Sequence, residues 1–591
     1  MTPPATAAAA RADAAPLREE TTAEPAPSTL ERARTAGKFF FVGDRKFYLK
    51  GVSYGPFRPG DDGAPFPAAA LARLDFRLMR ELGANTLRTF TPPPDRILDL
   101  AAEEGLRVVV GIPWAQQICF LEDSRIARDA RARVRAAARD VGRHPAVLAL
   151  FVGNETPPDV VRWQRPERVQ DFLRSLYLEA KEQAPETLVS YANYPPTEYL
   201  DLDFLDFLSF NVYLHREPDF RRYLMRLQNL AEDKPLVLSE FGMDSIREGA
   251  DAQAATLGWQ VRAAFELGAA GSVIFSWTDD WFALSWQTGG GFQVEDWAFG
   301  LVDRERRPKP AFAAVQKSFA APIPAIPPDP PMISVVVCSY NAERTMEACL
   351  ESLKDLAYPN YEVIVVNDGS TDGTLGIARR YEGARLRIID QPNMGLSAAR
   401  NVGAEAARGE IVAYTDSDCV VDPDWLTYLA YKFQAGFVAV GGPNFPPPED
   451  ALVPSVVAVS PGGPTHVLLN DDVAEHIPGC NMAFRREALE AVGGFDPQFR
   501  SAGDDVDICW RLQAAGQTIG FCPAAVVEHR RRPSIRAYLR QQLGYGSAEG
   551  LLERKWPEKY NRGGHLAWEG RMYASPRPRR SRSRIGYGTW G

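Results

Sequence analysis

The chain has 591 residues, 45% of them hydrophobic and 24% charged, with a net charge of -9. These values are typical of a globular protein and lack the basic excess that nucleic-acid binding requires, so neither a polynucleotide nor an acidic membrane is an expected partner. The length exceeds what one hydrophobic core can serve, and we expect two or three domains.

Three segments have the composition of tails or linkers. Residues 1–36 are rich in Ala, Pro, Thr and Glu, which predicts a disordered tail. Residues 320–331 are dense in proline, which disfavours a helix and predicts a linker. We therefore predict one domain over 37–319, a second over 332–560, and a basic flexible tail over 561–591. The tail is expected to be solvated, with a binding patch as the alternative.

The cysteines and apolar runs indicate a cellular location. Seven cysteines without a CxxC pair favour neither a disulfide framework nor a thiolate zinc site. No apolar run reaches the roughly 18 residues of a membrane helix, and residues 1–36 lack the apolar core of a secretion signal. We predict a cytoplasmic protein without a membrane span, and association with membrane export machinery stays open.

In the first domain, short apolar runs alternate with amphipathic helical segments, a pattern that predicts parallel β/α units. The eight runs are 47–51, 86–90, 108–112, 148–152, 188–191, 207–213, 236–239 and 272–276. Eight units in about 280 residues predict a (β/α)8 TIM barrel, whose catalytic groups lie at the carboxyl ends of the strands.

Polar and aromatic residues stand where these runs end. Asn154 and Glu155 follow the fourth run, Tyr213 ends the sixth, Glu240 follows the seventh and Trp277 follows the eighth. Two carboxylates on one barrel rim are what a retaining glycosidase uses, one to protonate the leaving oxygen and one to attack the anomeric carbon.

The segments HPAVLALFVGNE, ending at Glu155, and LSEFG, which contains Glu240, resemble the clan A glycoside hydrolases. The resemblance implies that Glu155 is the acid/base and Glu240 the nucleophile. It further implies that Arg88 and Tyr213 keep Glu240 ionised by donating hydrogen bonds.

The same resemblance implies the sugar contacts. Asn154 would bind the 2-hydroxyl, and Trp277 with Trp281 would supply the flat apolar platform on which a pyranose ring packs. Trp114 and Trp286 either line the cleft or fill the core.

The second domain opens with the pattern of a nucleotide-binding α/β sheet. Its first two apolar runs end in Ser339-Tyr340-Asn341 and in Asp368, and a helical segment follows each. Because ligands bind where such strands end, Asp368 is expected to accept from a base or ribose and Arg400 to place a cation in the same crevice.

Asp416 and Asp418 are separated by one residue at a strand end, so both can point to one side and hold a divalent cation that bridges a diphosphate. With the preceding motifs, this DxD arrangement resembles the family 2 glycosyltransferases over residues 333–532. The resemblance implies a Rossmann-like GT-A fold, a nucleotide-diphosphate sugar donor, Mg²⁺ or Mn²⁺, and inversion of the anomeric centre. Among such donors we expect a UDP-sugar.

The resemblance also implies a general base. Asp505 falls at the general-base position, after Asp504 where a Glu is more usual. His529 matches a position at which some members supply a metal ligand, with a structural histidine as the alternative. Only a partial likeness to the processive Gln-x-x-Arg-Trp motif follows at Gln541, which disfavours long-chain extrusion by this chain alone.

These patterns together predict a bifunctional carbohydrate enzyme. A retaining β-glycosidase or transglycosidase would be fused to an inverting, metal-dependent glycosyltransferase that joins a nucleotide sugar to an oligo- or polysaccharide acceptor, in β-glucan or exopolysaccharide synthesis or processing. One alternative is a transferase whose barrel is a glycan-binding or scaffold module. Another is a transferase half that acts as a nucleotide-sugar sensor.

Overall fold

The computed structural model describes residues 30–60, 62–284, 290–447, 452–458 and 460–571. A closed eight-stranded barrel comes first and a nine-stranded mixed sheet follows. The predicted TIM barrel and second α/β domain are confirmed. Across the described ranges, no helix combines the length and apolar composition needed to cross a bilayer.

A small antiparallel sheet precedes the barrel. Its strands are β1 (Ala33–Ala36), β2 (Phe39–Val42) and β3 (Arg45–Phe47). Strand β1 lies inside the stretch predicted as a disordered tail, so that prediction is wrong for residues 33–36. Residues 33–36 form a strand because β2, in which Phe39 and Phe40 are buried, pairs with β1 along its whole length.

The eight parallel barrel strands correspond to the eight predicted runs. They are β4 (Leu49–Ser53), β5 (Thr86–Thr89), β6 (Arg107–Gly111), β7 (Val147–Asn154), β8 (Leu188–Asn193), β9 (Leu208–Asn211), β10 (Leu236–Phe241) and β11 (Gly271–Ile274). Barrel strands are covered on both faces, which explains why they are apolar runs rather than alternating ones.

Helices surround the barrel, and the longer ones bury one face each. They are α1 (Ala69–Leu82), α2 (Asp95–Glu103), α3 (Ser124–Asp140), α4 (Pro158–Gln164), α5 (Pro166–Gln183), α6 (Glu217–Ala231), α7 (Ser245–Glu248), α8 (Ala250–Glu266) and α9 (Pro310–Ala320). A hairpin of β12 (Trp281–Leu284) and β13 (Gly291–Val294) follows the last barrel strand.

The second domain has a central parallel core that antiparallel strands extend. Its strands are β14 (Ile333–Ser339), β15 (Tyr361–Asp368), β16 (Leu386–Gln391), β17 (Ile411–Asp416), β18 (Cys419–Val421), β19 (Ala439–Gly441), β20 (Asn444–Phe445), β21 (Val467–Leu468), β22 (Val473–His476), β23 (Met482–Arg485), β24 (Ile519–Phe521) and β25 (Val527–His529). Its helices are α10 (Met346–Lys354), α11 (Thr374–Arg379), α12 (Leu396–Ala406), α13 (Trp425–Phe433), α14 (Leu452–Ala458), α15 (Arg486–Ala491), α16 (Asp504–Ala514) and α17 (Ile535–Lys555).

Part of the predicted basic tail is ordered. Trp568 packs against the buried Trp510 with ring centroids 5.8 Å apart. Arg571 exchanges backbone hydrogen bonds with Leu468 of β21. The prediction of a flexible tail is therefore wrong for residues 561–571, because these aromatic and backbone contacts hold them on the sheet. Residues 572–591 lie outside the described part.

The second domain packs against the amino-terminal end of the barrel, opposite the strand ends that carry Glu155 and Glu240. Lys46 Nζ lies 2.6 Å from both Asp422 Oδ1 and Asp424 Oδ2. Beside them, the rings of Phe39 and Tyr428 stack with centroids 6.4 Å apart. The proline-rich segment thus connects two domains that share a buried contact.

The first prediction concerns this contact. Lys46→Met should lower the free energy of unfolding by roughly 3 kcal/mol, because two nearly buried carboxylates lose their cation. Urea denaturation followed by circular dichroism measures the change. Lys354→Met, at a solvent-exposed lysine, is the matched control and should have little effect.

Adding Asp422→Asn and Asp424→Asn to Lys46→Met should restore most of the lost stability, since no uncompensated charge then remains. A loss in Lys46→Met no larger than that in Lys354→Met would contradict the account of the interface.

Candidate active sites

The barrel has a cavity of about 500 Å³ at the carboxyl ends of its strands, a volume that suits a sugar-sized ligand. Carboxylates, one cation and aromatic rings line it. The lining residues are Glu155, Tyr213, Glu240, Arg247, Phe275, Asp296, Trp297 and Phe299.

Glu240, in β10, is held by two donors. Arg88 Nη1 donates to Oε1 at 2.7 Å, and Tyr213 Oη donates to Oε2 at 3.0 Å. Burial next to Glu240 raises the pKa of Tyr213 well above its ordinary value, so its hydroxyl stays a donor. Glu240 thus accepts hydrogen bonds from a buried guanidinium and from a neutral phenol.

Glu155 follows β7 and has the opposite environment. Burial and the nearby charge of Glu240 raise the pKa of Glu155, and a 3.0 Å hydrogen bond from Asn211 Nδ2 only partly offsets this. Its backbone φ is 50°, a left-handed conformation that costs an L-residue energy and that clusters at functional sites. The pKa of Glu155 is thus raised, while Glu240 is held by two hydrogen-bond donors.

Asn154 serves this network as well. Its Oδ1 accepts from Arg88 Nη2 at 2.7 Å and from Asn211 Nδ2 at 3.2 Å. Sequence reasoning missed Asn211, although it ends the sixth strand and the rule that located Tyr213 applies to it equally. The contact of Asn154 with a sugar hydroxyl stays a prediction.

The aromatic platform differs from the prediction. Trp277 is fully buried and its Nε1 donates to Asp75 at 2.9 Å, so it offers no ring face to a sugar and the predicted role is wrong. Trp281 lies on the β12–β13 hairpin, 5.5 Å from Trp297, which lines the cavity. Trp114 fills the core and donates to the Val152 carbonyl. Trp286 lies outside the described residues.

In the second domain, the carboxyl ends of β14 and β15 lie side by side. Tyr340 exposes 55% of its surface there, while Ser339 is buried and Asn341 Oδ1 accepts from the Thr371 amide at 2.8 Å. An exposed ring at this edge can stack on a base. The nucleotide contacts of these three residues stay predictions.

Asp368, at the end of β15, is buried. Its Oδ1 accepts from Gln391 Nε2 and the Met394 amide, each at 2.8 Å, and its Oδ2 from the Gly395 amide at 2.9 Å. The side chain therefore fixes the loop that leads into α12. Its predicted contact with a base or ribose stays a prediction.

Arg400 is 2% exposed and is surrounded by acids. It forms an ion pair with Asp504, lies 3.3 Å from Asp416 Oδ1, and donates to the Gly479 carbonyl at 3.1 Å. Arg400 thus positions acidic residues around its guanidinium, and its predicted role as a cation in the nucleotide crevice stays a prediction.

Strand pairing assembles a candidate metal site. Cys419 in β18 lies opposite His529 in β25, which brings His529 Nε2 to 3.4 Å from Asp418 Oδ1. Although burial disfavours the charged ring, Asp418 raises the pKa of His529 to about 9. Ligand atoms of these three residues lie within 4.8 Å of one another, and Asp416 stands just before them.

The donor set fits a divalent cation. His529 turns Nε2 towards Asp418, and its Nδ1 is buried without a hydrogen-bond partner among the described residues. Carboxylate oxygens suit Mg²⁺ or Mn²⁺, and an imidazole suits Mn²⁺ better than Mg²⁺. The metal roles of Asp416, Asp418 and His529 stay predictions.

Asp505 stands in the first turn of α16, after Gly503 with its φ of 83°. Its Oδ2 accepts from the Gly479 amide at 2.9 Å and lies 3.6 Å from His476 Nε2. Burial opposes ionisation, but His476 and then Arg400 hold the pKa of Asp505 at about 2. Asp505 is therefore ionised, whereas Asp504 is paired to Arg400 and buried.

His476 gives no signal in the sequence. Its Nδ1 lies 2.8 Å from the Thr465 carbonyl, which can only accept, so this nitrogen carries a proton. Its ring stacks on Trp568, with centroids 5.5 Å apart. Nε2 is thereby left to face Asp505.

The second prediction tests the barrel pair. Glu240→Gln should lower the pKa of Glu155, because a negative charge that disfavours its ionisation is removed. NMR titration of the Glu155 carboxyl carbon in ¹³C-labelled protein measures the shift. Glu248→Gln, on the exposed α7, is the control, and an unchanged or higher pKa in Glu240→Gln would contradict the coupling.

Two family models match the chain. Glycosyl transferase family 2 matches residues 334–493, and the TIM barrel domain of glycosyl hydrolases family 2 matches residues 34–322. A solved β-glucuronidase from Bifidobacterium dentium aligns with a TM-score of 0.43 and 20% identity over 49% of each chain.

Curated relatives match the second domain. The putative glycosyltransferase EpsH of Bacillus subtilis is 46% identical over 97 residues, 16% of this chain and 28% of EpsH. Glycosyltransferase AglE of Haloferax volcanii is 31% identical over 235 residues, 37% of this chain and 73% of AglE. The chain thus spans little more than a quarter of EpsH but most of AglE. Through its second domain the chain belongs to glycosyltransferase family 2, and a glycoside hydrolase-type TIM barrel precedes that domain.

Proposed function

We propose that the chain is a bifunctional carbohydrate enzyme. The barrel acts as a retaining β-glycosidase or transglycosidase, and the second domain as an inverting, metal-dependent glycosyltransferase that uses a UDP-sugar. The barrel assignment rests on one observation: two carboxyl groups in the same cavity have opposite electrostatic environments. Arg88 and Tyr213 donate to Glu240, while burial raises the pKa of Glu155.

In the barrel, Glu240 attacks the anomeric carbon as Glu155 transfers its proton to the departing glycosidic oxygen, which leaves as an alcohol. Glu155 is then a carboxylate. It takes a proton from water or from an acceptor hydroxyl, and that oxygen displaces Glu240 from the sugar. Water gives hydrolysis and a sugar hydroxyl gives transglycosylation.

In the second domain, Asp505 takes the proton from the acceptor hydroxyl while that oxygen attacks the donor sugar and the diphosphate leaves. Asp416, Asp418 and His529 would hold Mg²⁺ or Mn²⁺, which supplies positive charge for the diphosphate. Tyr340 and Asp368 bind the nucleoside. Because the anomeric centre inverts, an α-linked donor gives a β-linked product.

The two activities fit one process. A transferase that makes β-linkages and a clan A barrel that cleaves β-linkages can build and edit the same glycan, and β-glucan or exopolysaccharide is the natural class. The acidic pair of the barrel argues against a purely structural module, since a scaffold needs no buried carboxyl with a raised pKa.

The third prediction separates the two centres in the full chain. Glu240→Gln should abolish release of aryl alcohol from a panel of aryl β-glycosides but leave sugar transfer from UDP-sugars unchanged.

Asp505→Asn should lower transfer by about 10²- to 10⁴-fold with little change in UDP affinity, because the proton moves only in the transition state. Asp418→Ala should instead weaken metal-dependent UDP binding in calorimetry.

Each of the three variants tests one part of the proposed function. Wild-type hydrolysis by Glu240→Gln would refute the barrel assignment alone. Wild-type transfer by Asp505→Asn, or its loss of UDP binding, would move the base elsewhere. UDP affinity that is equal with and without metal would refute the metal role.

The fourth prediction concerns His476. His476→Phe should raise the pKa of Asp505, so the acidic limb of the pH profile for transfer should move to higher pH while activity at neutral pH is retained. His565→Phe, at an exposed histidine, is the control. Identical profiles for His476→Phe and wild type would show that His476 does not tune the base.

A further inference from the structure

The amino-terminal half of α17 exposes a row of large apolar side chains. Ile535, Leu539 and Leu543 are 59%, 55% and 75% exposed. They are four residues apart, so they lie on one face of the helix. The other half of α17 is anchored, since Ala548 and Leu552 are buried. Large side chains in water over two helical turns need an explanation that core packing does not supply.

Helix α14 packs beside α17 and adds to this row. Leu452 and Val456 are 79% and 52% exposed. The side chains Ile535, Leu539, Leu543, Leu452 and Val456 are together called the α14–α17 surface. These side chains belong to two helices of the second domain that contact each other.

The same stretch is strongly basic. Residues 530–548 contain five arginines, at positions 530, 531, 532, 536 and 540, and no acidic residue. Arg536 and Arg540, which flank the apolar row, are exposed, and no ion pair to either occurs within the described residues. A chain with a net charge of -9 thus concentrates positive charge beside these exposed apolar side chains.

We propose that the α14–α17 surface docks onto a membrane surface that contains anionic lipids. An amphipathic helix with an apolar face flanked by arginines lies in the plane of the interface, with its apolar side chains at the headgroup–acyl boundary and its cations near lipid phosphates. The overall negative charge led us to expect no acidic membrane partner, but the local distribution of charge points the other way.

The arginines and the apolar row together favour an anionic membrane over other partners. A nucleic acid would use the arginines but would leave the apolar row in water. A second copy of the chain would bring five arginines against five, and residues 572–591 of the same chain carry arginines at 577, 579, 580, 582 and 584. Like charges disfavour both occupants, whereas anionic lipid supplies negative charge and an apolar layer.

Docking would place Asp418, and with it the candidate metal site of the second domain, near the bilayer. Arg532 Nη1 lies 3.3 Å from Asp418 Oδ2, and Tyr538 Oη donates to the Pro461 carbonyl in the loop after α14. A transferase so placed would reach an acceptor anchored in the membrane. The docking itself does not depend on that activity.

Vesicle co-sedimentation tests the proposal with the full chain. It should partition to phosphatidylcholine–phosphatidylglycerol vesicles, weakly to phosphatidylcholine alone, and less as salt is raised. Arg536→Ala with Arg540→Ala should weaken partitioning by about 25-fold, since each arginine near an anionic surface is worth about fivefold. Leu539→Ser with Leu543→Ser should weaken it at least about tenfold.

Matched variants on the barrel are the controls. Leu178, on α5, is 59% exposed, which is close to the 55% of Leu539. Arg216 and Arg222 are exposed on or beside α6. Leu178→Ser and the double Arg216→Ala, Arg222→Ala should partition as wild type, and circular dichroism should show all variants folded.

Three results would overturn the proposal. The first is no partitioning to anionic vesicles. The second is partitioning that the α17 variants and the barrel controls change equally. The third is a wild-type dimer, seen by light scattering, that Leu539→Ser with Leu543→Ser converts to a monomer, because self-association would then explain the exposed row.

Discussion

A buried carboxylate needs a cation beside it, and at each candidate site a buried arginine meets this requirement. Arg88 is 1% exposed and Arg400 is 2% exposed. Arg88 lies against Glu240 and Asn154, and Arg400 against Asp416 and Asp504. Without these guanidinium groups, the acidic residues would protonate or move towards water. Acidic residues at both candidate sites are therefore paired with arginines that are themselves buried.

The packing of the domains separates the two sites. Lys46 and Phe39 bring the second domain to the amino-terminal end of the barrel, while Glu155 and Glu240 open at the carboxyl end. The barrel strands, roughly 20 Å long, lie between that cavity and the interface. Under the proposed function, a glycan made in the second domain would have to leave it and pass around the barrel before the barrel could cleave it. The proposal therefore requires a long or released product.

Periodicity and strand-end rules predicted much of the structure. The eight barrel strands and the positions of Glu155 and Glu240 follow from apolar runs that end in polar residues. Trp277 was misassigned because position at a strand end does not reveal burial, and its bond to Asp75 spans some 200 residues of sequence. His476 and the pairing of Arg400 were not predictable for the same reason. They depend on which distant elements the fold brings together.

Covalent trapping tests most directly whether Arg88 and Tyr213 prepare Glu240 as a nucleophile. The full chain would be treated with activated 2-deoxy-2-fluoro β-glycosides of the sugars that it hydrolyses, and the modified peptide identified by mass spectrometry. The account predicts one equivalent of label, carried by Glu240, and much slower labelling in Arg88→Met. Label on another residue, or turnover of the parent glycosides with inversion and no label, would contradict it.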